Sequence, residues 1–259
     1  MTLEQVISAD GTSIAFERAG IGPPLELVHG TTTDRSHWDL VRPLLEPRFS
    51  VCAVDRRGRG DSGDGAAYSL EREYEDIAAV VDSLPGPVDL LGHSYGGLVC
   101  LEAALRTKNL GRLLLYEPTF GRSLVPAGLR QRLEESIGRG DLGATVATFW
   151  TEAMGASLDQ VEEMRAAPNW ARRLAIAPTL ARELADGDYD FTPGRFEELG
   201  AHTLLLMGTE SPAAFRASTV EVHKAMSGSE LVEIPGQGHA ATRRAPDLFA
   251  ALVLEFLSE

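Results

Sequence analysis

The sequence is poor in cysteine, in basic residues relative to acidic ones, and in long apolar runs. Cys52 and Cys100 are its only cysteines among 259 residues, and each lies in an apolar segment. Two buried free thiols are therefore expected rather than a disulfide, which favours a reducing compartment and predicts a cytoplasmic location. No apolar stretch approaches the roughly 20 residues of a membrane-spanning helix. Residues 1–10 lack the basic and apolar parts of a secretory signal, so no membrane partner is expected.

Basic residues are outnumbered: 24 Lys and Arg stand against 38 Asp and Glu, which gives a formal net charge of −14. A surface of this sign repels the phosphates of nucleic acids and anionic lipids, so a small molecule is the expected partner. With 44% hydrophobic residues the chain can bury a sizeable core, and its length suits one α/β domain. The composition leaves the oligomeric state open.

Short apolar strands alternate with helical segments over most of the chain, which indicates βαβ units and a parallel central sheet. The alternation stops after Pro118 and resumes near Gly200, and only amphipathic helical segments lie between. We therefore predict a core formed by residues 1–118 and 201–259, with a helical lid at residues 119–200. The predicted strands are residues 5–8, 13–18, 25–28, 50–54, 88–91, 112–116, 203–207 and 230–234.

The segment Gly92-His93-Ser94-Tyr95-Gly96 matches the pattern G-x-S-x-G between a predicted strand and a predicted helix. On such a sharp strand-to-helix turn the serine hydroxyl projects from the sheet, where a base and a substrate can reach it. The small glycines let the strand and the helix approach closely. The pattern predicts Ser94 as a nucleophile, and a purely structural turn is the alternative.

A nucleophilic serine needs a base, and His239 is the candidate. It lies in a glycine-rich loop directly after the last predicted strand, where it can take the proton from Ser94 and return it to a leaving group. A histidine that only stabilises this loop is the alternative.

An oxyanion hole needs two backbone N–H groups aimed at the developing negative charge. The N–H of Tyr95, directly after the nucleophile, is one candidate. The second is Thr31, in the loop that follows the strand at residues 25–28. His29 and Gly30 open this loop and are predicted to lie at the substrate site.

Four motifs span nearly the whole chain in this order: His29-Gly30, Asp55-Arg56-Arg57-Gly58-Arg59-Gly60-Asp61-Ser62, Gly92-His93-Ser94-Tyr95-Gly96 and Gly236-Gln237-Gly238-His239. With these motifs the chain resembles the α/β-hydrolase-fold superfamily, in particular its small, lid-bearing serine hydrolases and esterases. The resemblance implies an eight-stranded, mostly parallel sheet flanked by helices, a helical lid after the sixth strand, and a Ser–acid–His triad. It implies no metal and no organic cofactor, and a structural role for the arginine-rich second motif.

The acid of the triad is where the sequence departs from the family pattern. The position where the family carries an aspartate, after the strand that ends at Gly208, is Ser211, and a neutral serine cannot stabilise the imidazolium of His239. Glu117, which closes the sixth strand, is one candidate to replace it, because a carboxylate that closes an apolar strand is costly unless paired. Glu210 is the other candidate, because it lies one residue before Ser211 and has a longer side chain than aspartate. A third alternative is that neither supplies the acid.

These residues together predict hydrolysis of a small to medium apolar carboxylic ester or lactone through an acyl-enzyme. Carbon–carbon bond hydrolysis and cofactor-free perhydrolysis on the same triad remain alternatives, because they differ in pocket shape rather than motif. A non-catalytic ligand receptor on the same scaffold is an alternative of another class. The aromatic lid favours an apolar pocket, for which the predicted substrate-binding residues are Trp150, Met154 and Trp170.

Overall fold

One eight-stranded sheet organises the computed structural model, which describes residues 1–120, 126–184 and 189–258. The spatial order is β1-β2-β4-β3-β5-β6-β7-β8; β1 and β4 both pair antiparallel with β2, and all the other pairs are parallel. This confirms the predicted α/β-hydrolase fold. The strands are β1 Thr2–Ile7, β2 Ser13–Ala19, β3 Pro24–Val28, β4 Ser50–Val54, β5 Val88–His93, β6 Leu110–Tyr116, β7 Thr203–Gly208 and β8 Glu230–Ile234.

The chain divides into two compact units. The first consists of Met1–Gly30, Asp34–Thr119 and the chain from Thr192 onward, and the second of Thr31–Thr33 and the described part of Phe120–Phe191. The first unit contains the sheet and the helices α1 Arg42–Leu45, α2 Leu70–Ser83, α3 Tyr95–Ala103, α8 Ala213–Ala225, α9 Ala241–Arg244 and α10 Pro246–Phe256. The second contains α4 Leu129–Gly138, α5 Leu142–Glu152, α6 Leu158–Ala166 and α7 Trp170–Leu184.

The first unit buries its central strands on both faces. Every residue of β3, β5 and β7 is buried, as expected for parallel strands covered by helices on both sides. Cys52 and Cys100 lie in this interior as free thiols, as predicted, and burial raises the pKa of Cys52 to about 12. In the part of the chain that is described, no helix has the length and apolarity to cross a bilayer.

The second unit is a small helical bundle with its own apolar core. Leu129 and Leu133 of α4 pack there with Phe149 of α5 and Leu180 of α7. Two of the aromatic residues predicted to bind substrate are covered by guanidinium groups within this unit: Arg173 lies over Trp150 at 5.1 Å and Arg165 over Trp170 at 5.3 Å. Met154 is 40% exposed. The lid function of this unit stays a prediction.

Glu26 is a carboxylic acid in the middle of β3, and it is completely buried. Neither carboxyl oxygen has a hydrogen-bond partner among the described residues. Burial raises the pKa of Glu26 well above its ordinary value, because the interior penalises the charged form. Burial therefore favours the protonated, neutral form of the Glu26 side chain.

We predict that Glu26→Gln becomes more stable than the wild type as pH rises. Above the ordinary glutamate pKa the unfolded chain releases the proton that the folded chain keeps, so wild-type stability falls until the folded-state pKa is reached. Glutamine has no such proton. The difference in unfolding free energy between Glu26→Gln and the wild type, measured in urea, should grow steadily between about pH 5 and about pH 8. The exposed Glu221→Gln serves as control, and a pH-independent difference would contradict the assignment.

Candidate active site

Ser94 lies on the turn between β5 and α3 in a strained backbone conformation. Its φ is 57° and its ψ is −125°, a region that side-chain-bearing residues rarely occupy. A Cβ on Gly92 would lie 2.7 Å from the sulfur of Cys100, and one on Gly96 would overlap the carbonyl of His29. The glycines of the motif are therefore required by close packing, as the sequence predicts. The turn presents the Ser94 side chain at the N-terminus of α3.

The Ser94 hydroxyl, His239 and Glu117 form a continuous hydrogen-bonded chain. Ser94 Oγ lies 2.9 Å from His239 Nε2, and His239 Nδ1 lies 2.5 Å from Glu117 Oε2. Because a carboxylate only accepts, Nδ1 carries the proton and Nε2 is the acceptor for the serine hydroxyl. This is the tautomer that a general base requires.

Glu117 is fully buried and has a second donor besides His239. Its Oε1 accepts a hydrogen bond from the backbone N–H of Gly208, the last residue of β7, at 2.7 Å. The φ of Glu117 is 46°, so the chain turns sharply where β6 ends. Both carboxylate oxygens are thus hydrogen-bonded, which offsets the cost of burying the charge.

Of the two carboxylates left open by the sequence, the structure joins Glu117 to His239 and leaves Glu210 outside the chain of hydrogen bonds. Glu210 is exposed, and its backbone N–H donates to Gln237. Ser211, at the family's usual acid position, is buried, and its hydroxyl has no partner among the described residues. Glu117 reaches the imidazole from the neighbouring strand instead.

His29, predicted from the sequence to lie at the substrate site, is bonded on both ring nitrogens. It is fully buried, its Nδ1–H donates to Gly30 O at 2.8 Å, and its Nε2 accepts the backbone N–H of Arg56 at 3.2 Å. Burial lowers the pKa of His29 well below its usual value, so the ring is neutral. His29 shapes its loop, whereas Gly30 lies against the nucleophile: a Cβ there would be 2.9 Å from the Cβ of Ser94.

Tyr95, the predicted oxyanion donor next to Ser94, is the first residue of α3. Amides of the first helical turn point away from the helix and have no acceptor within it. The ring of Tyr95 lies under the guanidinium of Arg56 at 4.5 Å, and its hydroxyl lies 2.8 Å from that of Tyr68. Thr31, the other predicted donor, belongs to the second compact unit.

Within the described chain, no group of three or more His, Cys, Asp or Glu is placed to hold a metal ion.

The arginine-rich motif is occupied by internal ion pairs. Arg56 makes two bonds of 2.8 and 2.7 Å to Glu73, and Arg57 makes two of 2.6 and 2.7 Å to Asp76. All four side chains are at most 1% exposed. These arginines therefore fix the loop after β4 onto α2, in agreement with the structural role expected from the sequence.

We predict that Glu73→Gln destabilises the fold by about 3–5 kcal/mol, because it leaves the buried Arg56 guanidinium without its countercharge. Urea unfolding measures the loss. The exposed pair of Arg216 and Glu233 supplies the control, since Glu233→Gln should change stability by less than about 0.5 kcal/mol. Equal effects of the two substitutions would contradict this account.

The sheet order, the serine turn and the Ser94–His239–Glu117 chain together define a hydrolase-type α/β protein. A family-wide sequence model described as the alpha/beta hydrolase family matches residues 27–252. The chain belongs to the alpha/beta hydrolase family.

Individual relatives resemble the chain over nearly its full length. The crystal structure of an alpha/beta hydrolase from Sphaerobacter thermophilus is 37% identical, covers 98% of this chain and 100% of its own, and has a TM-score of 0.87. A pimeloyl-[acyl-carrier protein] methyl ester esterase from Nitrosomonas europaea is 27% identical over 92% of this chain and 97% of its own. A putative 2-succinyl-6-hydroxy-2,4-cyclohexadiene-1-carboxylate synthase from Bacillus subtilis is 26% identical over 95% and 94%.

Proposed function

We propose that the protein is a serine hydrolase that cleaves a small to medium apolar carboxylic ester or lactone through an acyl-enzyme. The observation that supports this most directly is the hydrogen-bonded chain from Ser94 through His239 to the buried Glu117. The nucleophile touches the base, and a third group orients the base, which is the arrangement that activates a serine hydroxyl.

In the proposed reaction His239 Nε2 accepts the proton of Ser94 Oγ while the oxygen attacks the carbonyl carbon of the substrate. The tetrahedral intermediate collapses, and His239 returns the proton to the departing alcohol oxygen. Water then attacks the acyl-enzyme and gives its proton to His239. His239 passes this proton to Ser94 Oγ as the bond between Oγ and the acyl carbon breaks, so the carboxylic acid and free Ser94 result. Glu117 holds the Nδ1 proton and stabilises the imidazolium in both halves.

Other parts of the site stay predictions from the sequence. The N–H groups of Tyr95 and Thr31 are the predicted oxyanion donors, and Trp150, Met154 and Trp170 the predicted contacts of an apolar substrate. A cytoplasmic location is likewise predicted.

An ester substrate is supported by relatives named as esterases, such as the Nitrosomonas europaea methyl ester esterase. Carbon–carbon hydrolysis and perhydrolysis would use the same three residues, and no contact among the described residues favours either. Turnover of esters, compared with fluorophosphonate labelling of Ser94, distinguishes these reactions from ester hydrolysis.

Removal of the nucleophile or the acid should abolish most of the turnover of p-nitrophenyl esters. We expect Ser94→Ala to lower kcat by at least about 10⁴-fold and Glu117→Gln by about 10³–10⁴-fold, because glutamine cannot hold the imidazole in the active tautomer or stabilise its charge. Glu210→Gln is the matched control and should keep kcat within about 2-fold.

Two results would contradict the proposal. If no ester is turned over and a fluorophosphonate does not label Ser94, the protein is a receptor or an inactive scaffold. If Ser94 is labelled but no ester is turned over, carbon–carbon cleavage or another reaction on this triad replaces ester hydrolysis.

The chain-length preference tests the apolar-pocket part of the proposal. Across p-nitrophenyl esters from acetate to decanoate, we expect kcat/KM to pass through a maximum at a short or medium acyl chain. Each buried methylene contributes up to about 0.8 kcal/mol until the pocket is filled. A flat profile would contradict an apolar acyl pocket of defined size.

A further inference from the structure

The rings of His37, His93 and Tyr116 form a stack beside the proposed base. β5 and β6 pair in parallel register with His93 opposite Tyr116, and these two rings stack with centroids 4.7 Å apart. His37, from the short 3₁₀ turn Arg35–Trp38, stacks with His93 at 4.7 Å and an interplanar angle of 13°. We call these three residues the ring stack.

Each ring of the stack is bonded to a different point of the loop that carries His239. The Tyr116 hydroxyl donates to Gly238 O at 2.5 Å and accepts from the Ala241 N–H at 3.1 Å. His93 Nε2 donates to the backbone oxygen of His239 at 3.0 Å. His37 Nε2 lies 3.2 Å from the hydroxyl of Thr242. The loop is thus held by polar atoms on both sides of His239.

The ring stack also links the position of His239 to the positions of Ser94 and Glu117. His93 is the residue before Ser94, and Tyr116 is the residue before Glu117. The ladder between β5 and β6 therefore positions the nucleophile, the acid and two of the three anchors of the loop together. The ring of His239 itself contacts His93, with centroids 4.5 Å apart, and Phe215 at 4.3 Å.

The histidines of the stack are neutral anchors. Burial lowers the pKa of His37 to about 3 and the pKa of His93 well below its ordinary value. Neither ring therefore carries a positive charge that would oppose the imidazolium formed at His239 during the proposed reaction. A lysine or arginine in these places could donate the same hydrogen bonds but would disfavour that charge.

We propose that the ring stack is the positioning device of the base: it fixes the backbone of residues 238–242 so that His239 reaches Ser94 and Glu117 at once. The inference rests on the proposed serine hydrolase function. None of the three rings needs to touch the substrate, so they act on the reaction only through His239.

Tyr116→Phe tests the proposal, because it keeps the stacked ring and removes both hydroxyl bonds to the loop. On a p-nitrophenyl ester we expect kcat to fall about 10- to 100-fold, the cost of misplacing a catalytic group by about 1 Å, while KM stays within about 2-fold. Tyr74→Phe, in α2, is the matched control and should leave both constants unchanged. An unchanged kcat in Tyr116→Phe would overturn the proposal.

The background variant His239→Ala separates positioning from a general structural role. The rate at which a fluorophosphonate labels Ser94 reports the activation of the nucleophile without turnover. Tyr116→Phe should slow labelling in the wild-type background and have no further effect when His239 is absent. An equal loss in both backgrounds would show that Tyr116 acts on the fold and not through His239.

His93→Gln and His93→Phe give a second test that does not depend on the tyrosine. Glutamine can present an N–H to the backbone oxygen of His239, whereas phenylalanine keeps only the ring. We expect kcat of the glutamine variant within about 5-fold of the wild type and a fall of about 10- to 100-fold for the phenylalanine variant. Equal rates for the two would overturn the proposal. If Ser94→Ala kept its activity, the proposed function would fail instead.

Discussion

The buried carboxylate of Glu117 is the interaction on which the proposed site depends. It lies at the end of β6, accepts the N–H of Gly208 from β7, and accepts the Nδ1–H of His239 from the loop after β8. A carboxylate removed from water is costly unless such donors are in place. This requirement ties two strand ends and one loop into a single arrangement, and the imidazole is oriented as a consequence.

Strain at the nucleophile is supported by the same packing. Ser94 keeps a positive φ because β5 and α3 are held on both sides of it, and glycines at positions 92 and 96 leave room for the neighbouring backbone. The Gly30 loop is fixed in turn by His29 and by Arg56, whose charge is satisfied by Glu73. Close backbone packing, buried hydrogen bonds and a buried ion pair thus support the segments that carry Ser94 and Gly30.

Local sequence patterns predicted much of the fold and of the candidate active site. The alternation of apolar strands and helices predicted the sheet, and the G-x-S-x-G turn predicted the strand–turn–helix around Ser94, because both signals lie within a few neighbouring residues. The fully buried Glu26 and the ring stack were not predicted. Each depends on what surrounds a side chain in space, and a single histidine or glutamate in an apolar segment carries no signal of its future neighbours.

Short motifs and their succession along the chain predicted the family and the candidate nucleophile and base, and the apolar pattern predicted the positions of the strands. The contact between Glu117 and His239 and the complete burial of His29 emerge from the folded chain and not from any motif. Glu117 and His239 are 122 residues apart in the chain, and their contact depends on the pairing of β6 with β7 and on the direction of the loop after β8. Such long-range geometry is set by the packing of the whole sheet, which no local stretch of sequence contains.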